Sequence, residues 1–284
     1  MGIDKFMNQF NNTFNIAFYI KENKIDNISE LIFDFNSIIH TSMNDLLLFI
    51  GDKQIDKYEI DDEMINIVSN NFINHIKNTI NTNIKCLISI FFDGVPSINK
   101  INEQKHRKFH ARLYDKLGEK ININTAIRGD GKNNWDRNKI SPGTDFMIKL
   151  CRYFKSYEFK DYLYKNINNV ELNIISDTLE IDEAEIKIVR YIKYNYKKHN
   201  YIIYSPDADM ILLTLGFNKK NINLIRIEYE NDNYLYRYVN IDLLFKLLYE
   251  NILLYRYFIL NIDNPNVIEK IKLKFPNIIN NINL

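Results

Sequence analysis

Cysteine is nearly absent. Cys86 and Cys151 are the only two in 284 residues, too few for a disulfide framework or a cysteine-rich zinc site. A reducing, intracellular compartment fits that scarcity, with cytoplasm and nucleus not distinguished. Glycine (8) and proline (5) are also scarce, so turns must fall to Asn and Asp, and no Pro/Gly/Ser-rich linker marks a boundary. Neither sign of charge is in excess. Lys plus Arg is 37 and Asp plus Glu is 36, which excludes a uniformly basic nucleic-acid coat; any basic site must be local. Apolar runs reach only about five residues, far short of the ~18 that a membrane helix needs. The most apolar stretch, Leu243 to Ile262, is broken by Lys246, Glu250 and Arg256. The N-terminus, Met1-Gly2-Ile3-Asp4-Lys5-Phe6, has no long apolar run after it and does not read as a signal peptide. Phe6 also breaks the myristoylation pattern. No internal repeat is found.

Hydrophobic residues are 46% and charged residues 26%, globular values that exclude wholesale disorder. Asn is about one residue in seven and is spread along the whole chain, as an A/T-rich coding sequence would give and a prion-like tract would not. The length allows one large α/β domain or two small ones.

One local pattern recurs. A short apolar run ends at once in carboxylates. Leu31-Ile32-Phe33 leads into Asp34, and Cys86 to Phe92 leads into Asp93-Gly94. Leu172 to Ile175 leads into Asp177 and then Asp182-Glu183-Ala184-Glu185, and Tyr201 to Tyr204 leads into Asp207-Ala208-Asp209. These near-continuous apolar runs suit strands buried on both faces of a parallel sheet. Helical spacing predicts helices over Met64–Ile80, Lys100–Leu117, Thr144–Phe154 and Glu185–Tyr196. Ile222–Glu228 and Tyr234–Val239 alternate around an Asn-Asp-Asn turn and read as an antiparallel hairpin, with helix from Ile241 onward. The fold class expected is α/β: a mainly parallel central sheet flanked by helices, then the C-terminal hairpin and helices.

Ligands of open parallel sheets bind beyond the carboxyl ends of the strands. If the four strands are neighbours, Asp34, Asp93, Glu183, Glu185, Asp207 and Asp209 converge on one crevice. Two unit charges 4 Å apart repel by roughly 4 kcal/mol at an effective dielectric near 20. Such a cluster needs protons or cations, and hard Mg²⁺ or Mn²⁺ ions, two of them for in-line cleavage of a phosphodiester, are the natural cations. The plainer reading is that Asp after a strand forms a turn, that Asp182 and Glu185 form a helix-capping pair, and that Asp207 and Asp209 cap the next helix. After Gly94, Lys100, Gln104 and Arg107 share one helix face with Lys108 beside it, a cationic patch suited to phosphate. Its plainer reading is a solvated charged face.

Together these stretches resemble the N-terminal catalytic region of the XRN family of 5′→3′ exoribonucleases, within the wider flap-endonuclease-like, PIN-related superfamily. The matching segments are Met1 to Phe6, Phe33-Asp34-Phe35-Asn36-Ser37-Ile38-Ile39-His40, Phe92-Asp93-Gly94-Val95-Pro96 with the basic residues after it, Ile140 to Met147, Asp182 to Lys187, and Ser205 to Ile211. They stand in family order over about 1–216. The resemblance implies a single nuclease domain, 1–284, with a hairpin and helical extension from about 217. It implies that the six acids bind the metals and carry catalysis, and that Lys100, Gln104, Arg107 and Lys108 hold a 5′-monophosphate. It also implies that His40 stacks on the first base, a position that otherwise reads as a core or helix-start histidine. The substrate implied is single-stranded RNA with a 5′-monophosphate, cut to nucleoside 5′-monophosphates. A seventh family acid has only Asp263 as a counterpart. The family writes Gly-Glu-Gly-Glu where this chain has Asp182-Glu183-Ala184-Glu185. Its second conserved region has no counterpart before Leu284, so a protein partner in its place is an expectation. The alternatives are a structure-specific DNA 5′-nuclease acting on flaps, and a catalytically degenerate relative that binds RNA or protein.

Overall fold

Apolar strands that end in carboxylates are what the chain forms. The computed structural model describes residues 14–20, 24–50, 57–83, 85–98, 100–102, 105–106, 109–110, 135–197, 199–217, 219–230, 233–260 and 269. In chain order these give β1 (Phe18–Ile20), β2 (Glu30–Asp34), α1 (Phe35–Ile50), α2 (Lys57–Thr79) and β3 (Cys86–Phe91). Next come α3 (Asp145–Lys155), α4 (Tyr157–Asn166), β4 (Val170–Ser176), α5 (Ala184–Asn195) and β5 (Tyr201–Tyr204). The chain continues with α6 (Asp209–Leu215), β6 (Ile222–Glu230), β7 (Asn233–Val239) and α7 (Ile241–Leu260). The class is α/β. Among the described residues no helix is long and apolar enough to cross a membrane.

Two compact units divide the chain. The first, Lys24–Tyr196, is built on the parallel strands β2, β3 and β4 in that spatial order. Leu31 pairs with Ile88, and Ile88 with Leu172. Every residue of β2 is buried, and β3 nearly so, as both-face burial requires. β4 departs from that expectation. Glu171 and Asn173 are exposed on either side of buried Leu172, so this strand alternates and wets one face. Beneath the sheet lies an aromatic core. The Phe35 ring meets Phe92 at 4.8 Å, Phe154 at 4.7 Å and Phe72 at 5.3 Å, edge-on or tilted. Thr144 caps α3 by accepting from the Met147 N–H, and Ser156 caps α4 by accepting from the Phe159 N–H. Trp135 is buried near the start of α3. Its indole N–H donates to Asp61 Oδ1 at 2.7 Å, and the Lys139 ammonium pairs with the same oxygen at 2.6 Å.

The second unit comprises the described parts of Met1–Asn23 and Lys197–Leu284. β5 runs parallel to β6, β6 and β7 form the predicted antiparallel hairpin, and β1 adds to β7 with Phe18 opposite Val239. α6 follows β5 directly, and α7 lies against β6.

Candidate active site

Asp34 closes β2, and Asp93 stands two residues past the end of β3. The parallel register sets Asp34 opposite Phe91, so both acids occupy the carboxyl edge of adjacent strands. The core holds them there. Phe33, Phe35 and Phe92, the immediate neighbours of the two acids, are fully buried. Asn36 Oδ1 accepts the Asp93 N–H at 3.1 Å, tying the two strand ends together.

The glutamates arrive by a second device. Beyond the strands, Val95 and Ile181 form a parallel bridge. The Gly94 N–H donates to the Asp182 carbonyl at 2.9 Å, and the Asp182 N–H donates to the Val95 carbonyl at 3.0 Å. The crossing is close. A Cβ on Gly94 would land well inside contact distance of the Glu180 carbonyl oxygen. The turn then delivers Glu183 and Glu185 to the start of α5, where the Ala184 N–H donates to Asp93 Oδ1 at 2.7 Å. Asp93 therefore caps the helix that carries the glutamates. The capping pair expected of Asp182 and Glu185 does not form. The N-cap residue is Glu183, without a side-chain cap, because Asp93 already serves the helix end. Asp182 turns away to Arg190, 2.7 Å from its carboxylate. Its φ is +83°, a left-handed conformation that favours glycine, and this is the position where the XRN pattern has one.

Lys187 is a site residue that sequence reading passed over. It is buried, and its ammonium donates to the Phe92 and Asp177 carbonyls, both at 3.0 Å. It thus ties the Asp93 turn to the segment leading to Glu183. Burial lowers its pKa, against the pull of Glu180, Asp93, Asp177 and Asp182. Asn36 lies in the Phe33 to His40 segment, but its tie to Asp93 spans 57 residues and has no local signal.

Burial raises the Asp93 carboxyl pKa, opposed by the Ala184 N–H and by the charges of His40, Lys187 and Lys100. Lys100 Nζ also stands 3.6 Å from Glu183 Oε1. Exposed His40, on α1, is thus an electrostatic neighbour of Asp93. The donors at this edge are carboxylate oxygens, the ligands hard divalent ions take. A cation would relieve the burial that disfavours charged Asp93, and Lys100 occupies the position of such a charge beside Glu183. By donor chemistry these residues fit magnesium or manganese. Among the described residues no three His, Cys, Asp or Glu side chains are drawn together closely enough to hold an ion.

In the second unit Asp207 and Asp209 follow β5. Asp207 Oδ1 accepts the Asp209 N–H at 3.3 Å, and the Asp207 N–H donates to buried Ser205 Oγ at 3.3 Å. The N-cap residue of α6 is Ala208, without a side-chain cap, and Asp209 lies in the first turn, so of the two acids expected to cap this helix only Asp207 reaches one of its N–H groups, from outside the cap position. Helical backbone is described at 98, 100–102, 105–106 and 109–110; Gln104, Arg107, Lys108 and Asp263 lie outside the described residues. Burial pushes the Cys86 thiol up to about 12 and Cys151 up to about 11, which disfavours the thiolate at both.

The family model described as XRN 5′-3′ exonuclease N-terminus matches residues 1–228. A protein of Acanthamoeba polyphaga mimivirus, whose name gives a provisional assignment as a 5′-3′ exonuclease, is 41% identical over 118 residues, covering 39% of this chain and 19% of its own. The 5′-3′ exoribonuclease 2 of Kluyveromyces lactis is 28% identical over 238 residues, covering 76% of this chain and 23% of its own. The 5′-3′ exoribonuclease 1 of Saccharomyces cerevisiae is 28% identical over 236 residues, covering 80% and 15%. The chain spans about a fifth of the length of these curated relatives. With acids in family order along the chain and Asp93 bonded to the helix that bears the glutamates, the chain belongs to the XRN 5′-3′ exonuclease N-terminal family.

Proposed function

We propose that this domain hydrolyses 5′-monophosphorylated RNA from its 5′ end, releasing nucleoside 5′-monophosphates, with two magnesium or manganese ions. The observation that carries the reading is the junction at Asp93. One carboxylate oxygen fixes the helix bearing Glu183 and Glu185, and Lys100 stands against Glu183. Asp34, Asp93, Glu183 and Glu185 would hold the ions, and the same role falls to Asp207 and Asp209. Bound ions supply charge neutralisation at the phosphodiester oxygens. The protein does the rest by positioning. A cation beside Glu183 would compete with Lys100 and release its ammonium to the terminal phosphate of the substrate. His40 would lie against the first base.

The direct experiment offers one RNA with a 5′-monophosphate, 5′-hydroxyl or 5′-triphosphate end, alongside a DNA flap, in magnesium and in manganese. The monophosphate strand should disappear fastest, from its 5′ end. Equal rates on the three RNAs would remove the phosphate pocket, and preference for the flap would move the domain to DNA. A second reading, a non-catalytic RNA-binding relative, is favoured by the lack of a drawn-together acid trio among the described residues. It predicts no hydrolysis and no metal-dependent rise in melting temperature.

A further inference from the structure

The acids and Lys100 serve a phosphate, and nothing assigned so far meets a nucleobase except His40. We propose that an apolar ledge bordering the acids, formed by Val95, Ile98, Leu179 and Ile181, seats the face of a nucleobase adjoining the phosphate bound there. The proposal rests on the nucleolytic reading above and adds a substrate subsite to it.

Four aliphatic side chains stand in solvent here: Val95 is 46% exposed, Ile98 77%, Leu179 64% and Ile181 74%. Single exposed apolar residues need no explanation, but a group of them does. These are grouped by the backbone. Val95 and Ile181 are partners in the bridge beyond β3 and β4. Leu179 stands two residues before Ile181, and Ile98 three after Val95. Val95 is two residues from Asp93 and Ile181 two from Glu183, and Ile98 opens the helical backbone that carries Lys100.

The ledge is also held rigid. The Gly94 and Asp182 N–H groups donate across the bridge, and the Lys187 ammonium clamps the segments on either side. A fixed surface binds without the entropy of ordering a loop. A nucleotide offers the matching pair of chemistries, an anionic phosphate and a flat base with an apolar face. Aliphatic surface accepts the face of any base and offers no hydrogen bonds to its edge. The subsite therefore discriminates base from no base rather than one base from another.

The test compares the wild type with Val95→Ser and Ile181→Ser, singly and together. Binding of a 3′-labelled, 5′-phosphorylated oligouridylate is read by anisotropy in calcium, with the strand checked as intact. The same oligomer carrying abasic sites at its first nucleotides is the control. The double variant should bind the uridylate roughly five- to tenfold more weakly, as loss of modest apolar contact predicts. On the abasic strand, wild type and variant should agree within about twofold. Circular dichroism and thermal melting establish that the variants fold. If the bridge variants do not, Ile98→Ser and Leu179→Ser, outside the bridge pair, carry the comparison. Equal affinity of wild type for both strands, or equal losses on both, would overturn the ledge alone. A wild type that neither binds nor cleaves RNA would overturn the nucleolytic reading and the ledge with it. A wild type that self-associates, while the double variant is monomeric with unchanged RNA affinity, would make the ledge a protein-docking face and refute the proposal.

Discussion

Gly94 and Asp182 face each other across one hydrogen bond, and each is constrained by its backbone. Gly94 has no room for a methyl group beside Glu180, so Gly94→Ala must force the turn apart. The expected loss is about 3 kcal/mol, the upper end for overpacking, read by urea unfolding; a loss below about 1 kcal/mol would mean the crossing yields easily. Asp182 carries the opposite problem, a side chain at positive φ. Asp182→Gly relieves roughly 1 kcal/mol of backbone cost. It gives up a half-exposed Arg190 pair worth no more than that. Its stability should equal or slightly exceed that of the parent, whereas Asp182→Val, β-branched at the same angle, should lose about 2 kcal/mol. Equal stabilities for the two variants would show that the angle is not strained.

Three segments converge on one side chain at Lys187, which joins the end of β3 and the turn after β4 to α5. Lys187→Met fits the space but leaves two carbonyls without their donor, a loss of about 1–3 kcal/mol. The elements legible in the sequence were those whose local pattern is also their environment. β2, β3 and β5 read as strands because apolar runs end abruptly in acid, and the β6–β7 hairpin because it alternates about a polar turn. β1, α1 and α4 were not foreseen. The buried face of α4 is only Phe159 and Leu163 amid Tyr, Lys and Asp, too little periodicity to register. The acids of the site were legible as a repeated strand-end feature. How Asp93 is used was not, since its bond to Ala184 spans 91 residues and replaces the local cap that Asp182 and Glu185 suggested. Lys187 entered only as the last residue of a matched segment, and its bonds to the Phe92 and Asp177 carbonyls, 95 and 10 residues away, have no local signal.

For the molecule as a whole, two titratable groups make its stability and its metal response sensitive to falling pH. Burial lowers the His75 pKa from 6.5 to about 4. The unfolded chain binds the proton more readily between those values, so stability is full above the unfolded pKa and falls as the pH drops toward the folded one. The loss amounts to about 3 kcal/mol, followed by the emission of Trp135, the single tryptophan. His75→Gln should flatten that slope; an unchanged slope would assign it elsewhere. Asp93 has a raised pKa, so protons compete with cations for it as the pH falls. The rise in melting temperature on adding manganese should therefore be larger near about pH 7.5 than near about pH 5, and Asp93→Asn should shrink it. A shift independent of pH would take Asp93 out of the ion site. The pairing of β1 with β7, Phe18 opposite Val239, carries a consequence for synthesis. Domains tend to fold as they leave the ribosome, and Lys24–Tyr196 is complete long before β7 exists. β1 must therefore wait, unpaired, for β7, and a chain released after Tyr196 should protect Lys24–Tyr196 from protease while leaving Phe18–Ile20 open to it.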